Sequence, residues 1–86
     1  MKAIDKLRNM ISAAGGSIVI DKSINFYGKS ISGKIARIEV KDDEFIALVD
    51  SDGFLFSEEI PKNQINDNFV SKVQEHIVPK KVWFFK

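Results

Sequence analysis

Ile4, Leu7, Ile11 and Ala14 recur at i, i+3, i+7 and i+10, while Lys2, Asp5, Lys6, Arg8 and Asn9 fall mostly elsewhere on the helical wheel. This spacing is one face of an amphipathic helix. It predicts a helix over residues 2–14, closed by Gly15 and Gly16, because glycine readily takes the left-handed conformation that satisfies a helix's last carbonyls. From Ser17 the period drops to two: Ile18, Ile20, Ile24 and Phe26 share one parity, and Val19, Asp21, Ser23, Asn25 and Tyr27 the other. A half-buried strand, or two short ones, is expected there, with a bend or bulge near Asp21, Lys22 and Ser23 where a lysine interrupts the apolar parity.

A turn over residues 28–33 leads to the clearest alternation in the chain, Ala36, Ile38 and Val40 against Arg37, Glu39 and Lys41, predicted as a strand over residues 34–41. Asp42 and Asp43 connect it to residues 45–49, a run that is apolar at both parities and bounded by Asp50, Ser51, Asp52 and Gly53. Two hairpins in series follow from this order. Phe54, Leu55 and Phe56 begin another strand that ends by Pro61, since proline cannot donate to a central ladder. Asn66 or Asp67 caps a second helix whose apolar face carries Phe69, Val70, Val73 and Ile77, with Pro79 as its terminator. Residues 82–85, Val82, Trp83, Phe84 and Phe85, favour a short terminal strand.

The expected fold class is therefore α+β: an N-terminal helix, an antiparallel meander of four to five strands, a C-terminal helix and a short aromatic tail strand. Twelve Ile and seven Val against three Leu agree with a sheet-dominated core. The alternative is an SH3-like or Sm-like partly open barrel preceded by a helix, in which the strands over residues 34–53 bend strongly. With 86 residues the chain makes one small domain spanning 1–86.

Composition narrows the chemistry. The absence of cysteine excludes disulfides, thiolate metal sites and thiol catalysis. With one histidine, His76, no metal is expected to be required for folding. Gly28, Lys29 and Ser30 match the tail of a phosphate-binding loop, but Ser23 stands where the leading glycine belongs and a strand follows where a helix must begin. Asp50, Asp52 and Gly53 suggest a calcium loop, yet Pro61 occupies the position of its bidentate glutamate. No nucleophile-elbow sequence is present, and the adjacent acids Asp42 with Asp43 and Glu58 with Glu59 point to opposite strand faces instead of sharing a proton. Neither an enzyme nor a cofactor is expected. The N-terminal residues hold charges among the apolar positions, and no run approaches the ~18 apolar residues of a membrane span, so a soluble, cytoplasmic chain is expected.

The net charge is +1, but its distribution is uneven: residues 1–41 hold eight basic and three acidic residues, residues 42–60 seven acidic and none basic, and residues 61–86 five basic and two acidic. A domain with a basic and an acidic side can dock complementary partners or associate head to tail. Two readings follow. The first is a protein-interaction module or homo-oligomeric subunit presenting a surface of Phe45, Ala47 and Val49, on what is expected to be the outer sheet face, together with Trp83, Phe84 and Phe85. The second is a weak nucleic-acid binder using Lys22, Tyr27, Lys29, Lys34, Arg37 and Lys41. Eleven of the thirteen bases are lysine, whereas base readout favours arginine, so nucleic acid is the less expected partner.

Overall fold

The computed structural model describes residues 1–21, 24–27 and 31–78. Helix α1 spans Ala3–Ala13, and the amides of Gly15 and Gly16 close it on the carbonyls of Ser12 and Ile11. Two short strands follow, β1 (Ser17–Val19) and β2 (Asn25–Tyr27), then three long ones, β3 (Ser32–Lys41), β4 (Glu44–Ser51) and β5 (Phe54–Ile60). A turn of 3₁₀ helix at Lys62–Gln64, which the apolar pattern does not signal, leads to α2 at Asp67–His76. The expected α+β architecture holds. The tail strand expected at residues 82–85 lies outside the described residues.

All strand pairs are antiparallel, in the order β1-β3-β4-β5, with β2 also on the outer flank of β3. β1 and β2 form one interrupted strand: Ile20 N–H still reaches the Ala36 carbonyl, and Ile35 N–H reaches that of Ile24. The break faces a register shift in β3 between Ile35 and Arg37. This bulge displaces Ala36 from the parity expected of it. Ile35 and Ile38, three residues apart, both point into the core, and Ala36 borders a depression on the opposite face with Arg37 and Leu48. Both β3–β4 and β4–β5 close through two-residue turns with positive φ, at Asp42 and Asp43 and at Asp52 and Gly53, the backbone that matches a hairpin's twist.

The sheet does not close into a barrel, because β5 pairs only with β4 and never meets β1 or β2. The helices remove the need for closure by covering one sheet face. Leu7 and Ile11 of α1 and Phe69, Val70 and Val73 of α2 form one buried core with Ile18, Ile20, Ile35, Ile38, Phe45, Ala47, Val49 and Ile60. Asn66 caps α2 by accepting the Phe69 N–H at 2.9 Å, and Phe69 packs on Phe26 with ring centroids 4.8 Å apart. The helix ends at His76, before Pro79, because Ile77 and Val78 turn extended: Ile77 bridges Ile20, and Val78 N–H donates to the Val19 carbonyl. No helix among the described residues is long and apolar enough to cross a membrane.

Candidate functional site

The register places the faces of β4 unambiguously. Phe45, Ala47 and Val49 are at most 1 % exposed and lie against the helices. They are core residues, so the expectation that they form an outer binding surface is corrected. The physical reason is the location of α1, whose Leu7 and Ile11 share their core and whose Arg8 guanidinium lies 5.0 Å from the Phe45 ring centre. The uncovered face is the opposite parity, with Val19, Arg37 and Leu48 in a row across β1, β3 and β4, and Leu55 of β5 bordering the same depression.

The basic residues of β3 are partly matched within the sheet. Lys34 stands opposite Asp50 and Lys41 opposite Glu44. Directly opposed unlike charges attract across an antiparallel pair, so neither lysine heads a purely basic strip. Arg37 is exposed on the outer face between Val19 and Leu48. The backbone of Tyr27 pairs with Ser32. Lys22, Lys29, Trp83, Phe84 and Phe85 lie outside the described residues. His76 closes α2 with Nδ1 3.4 Å from an Asp21 carboxylate oxygen, a surface contact beside the Asp21 N–H to His76 carbonyl bond.

A feature absent from the sequence-level surface stands out on β5. Phe54, Leu55 and Phe56 are 68 %, 60 % and 50 % exposed, the three most exposed large apolar side chains between the two helices among the described residues. Phe54 and Phe56 share the core parity of Ser51 and Val49 but lie past the helices, with ring centroids 6.5 Å apart. Phe56 borders an open hollow with Ser32, Val49, Ser51 and Glu58. Leu55 points to the other face. Ser51 and Phe54 are the closing, hydrogen-bonded pair of a two-residue hairpin, so alternation turns the N–H and C=O of Leu55, Ser57 and Glu59 toward the free edge. β5 thus combines unpaired backbone with apolar side chains on both faces. A sequence signal for this existed: the adjacent acids Glu58 and Glu59 occupy both parities, which a strand interior to a sheet tolerates poorly.

No cluster of three or more metal-ligating side chains occurs among the described residues. Compared with known protein families, with curated proteins and with solved structures, the chain matches none.

Proposed function

We propose that this chain is a protein-interaction module that binds an extended segment of its partner along the β5 edge. The observation that carries the reading is the run Phe54, Leu55 and Phe56, at least half exposed on a strand whose outer backbone groups have no partner strand among the described residues. Edge strands are usually blunted by shortness, proline or inward-pointing charge. β5 is seven residues long and contains no proline; its charges are confined to Glu58, on the core parity opposite Ala47, and Glu59, so the half that carries Phe54, Leu55 and Phe56 has none of these devices. Main-chain hydrogen bonds from Leu55, Ser57 and Glu59 supply affinity to an added strand, and the hollow beside Phe56 with the apolar surface beside Leu55 reads its alternate side chains. The carboxylates select for a partner that is not acidic.

The test is selection from a displayed library of linear peptides, comparing the native chain with Leu55→Lys and Ser57→Pro, both substitutions at exposed positions. Enriched peptides should shift the amide resonances of Leu55, Ser57 and Glu59 and lose binding to both variants. Failure of the native chain to enrich any sequence, or equal enrichment by the variants, overturns the reading.

A further inference from the structure

The order of chemistry along β5 is acid, apolar, acid: Asp52 at the turn, then Phe54, Leu55 and Phe56, then Glu58 and Glu59. The same chain contains its complement. Residues 80–86 read base, apolar, base: Lys80 and Lys81, then Val82, Trp83, Phe84 and Phe85, then Lys86, with no acid. The surroundings reinforce the match, since residues 42–60 hold seven acids and no base. We propose that residues 80–86 of one copy dock in extended form along the β5 edge of a second copy. This rests on the reading of β5 as a strand-accepting edge and names its partner.

Geometry requires the contact to be between copies. The chain leaves the described residues at Val78, which is hydrogen-bonded to Val19 at the β1 side of the sheet, the opposite side from β5. From the line of Val78 to a line outside β5 is five strand spacings, about 24 Å at ~4.8 Å each. Val82, four residues beyond Val78, reaches at most about 14 Å. The apolar stretch therefore cannot lie along β5 of its own molecule. A donor at one side of the sheet and an acceptor at the other make a heterologous contact, which propagates from copy to copy instead of stopping at a two-fold dimer. Lysines at both ends of the segment meet carboxylates at both ends of the acceptor run, while Trp83 and Phe85 alternate with Val82 and Phe84 against the two faces of β5.

The experiment is sedimentation velocity on the full chain up to about 1 mM, the range in which weak pairs assemble, with two variants checked for native thermal unfolding. Leu55→Lys blocks the edge and keeps the segment; Lys81→Glu with Lys86→Glu reverses the segment and keeps the edge. The native chain should form species larger than dimers as concentration rises. Each variant alone should be monomeric, with association weakened at least about tenfold. Mixed in equal amounts, the two should form a complex that stops at one copy of each, since only one competent junction remains. A synthetic peptide of residues 80–86 should cap the native chain and shift the Leu55, Ser57 and Glu59 amides. If the segment-reversed variant associates like the native chain, the proposal is overturned while β5 stands as an edge that pairs in another way. Undiminished association of Leu55→Lys removes β5 from the contact and overturns it too. A monomeric native chain that ignores the peptide also overturns it, and the library selection then decides separately whether β5 accepts any other strand.

Discussion

A methyl group added at Gly33 has no space to occupy. Its Cβ would stand 2.8 Å from Val49 Cγ1 and 3.0 Å from the Asp50 carbonyl oxygen, and the backbone there has φ +133°. Gly33→Ala therefore combines backbone strain with a clash against the neighbouring strand, and is expected to cost about 2–4 kcal/mol in urea unfolding. Gly53→Ala, at φ +85° with no atom within 4 Å, carries the strain alone and should cost about 1 kcal/mol. Equal losses would show that the contact with Val49 is relieved by movement. Two phenylalanines test the assignment of faces. Phe45 is fully buried, so Phe45→Ala should destabilise by about 3–5 kcal/mol, whereas Phe56→Ala at a half-exposed site should cost less than about 1 kcal/mol. The reverse order would restore the outward assignment of Phe45.

Among the elements, the helices were the most legible in the sequence. The apolar stripe of Leu7 and Ile11 and that of Phe69, Val70 and Val73 are the faces that enter the core. Asn66, expected as a cap alongside Asp67, accepts the Phe69 N–H, and Asn66→Ala should lower stability by about 1 kcal/mol, seen as an earlier unfolding midpoint. No change would mean that the amide finds an equivalent acceptor. Strands were legible as segments but less so in phase. The alternation of Ala36, Ile38 and Val40 assigned Ala36 inward, yet the bulge gives that place to Ile35. A bulge arises between two strands, here opposite the gap between β1 and β2, so neither sequence alone fixes its position. The early end of α2 has the same origin, because Ile77 pairs with Ile20, a residue far away along the chain.

At the scale of the whole molecule, charge is sorted along the sheet. β4 and β5 with their turns hold seven acids and no base, whereas β3 carries Lys34, Arg37 and Lys41. With a net charge of +1 and two of those bases opposite carboxylates, binding to duplex DNA is expected only at the nonspecific level, Kd about 10⁻⁴ to 10⁻⁶ M at physiological salt. Fluorescence anisotropy on labelled duplexes measures this. A submicromolar Kd would show that the bases act together on phosphate despite the acidic strands. On the proposed reading of β5 as a strand-accepting edge, the same sorting opposes association between acidic edges and favours a basic strand as the added one.

The sequence by itself determined the two helices and the three long strands to within a few residues, the β3–β4 and β4–β5 hairpin turns, and where the acidic block lies, because these follow from periodicity, turn residues and charge within a few positions of one another. It left open which face of β4 is covered, since Phe45, Ala47 and Val49 on one parity and Ile46 and Leu48 on the other are equally apolar. That choice was made by tertiary packing. Leu7 and Ile11 of α1 settle on the Phe45 side, and the hairpin register carries the decision to every neighbouring strand. The exposure of Phe54, Leu55 and Phe56 follows from the same event: two short helices cover the Ile60 end of β5 but not its other end, and the limit of their reach is set in three dimensions.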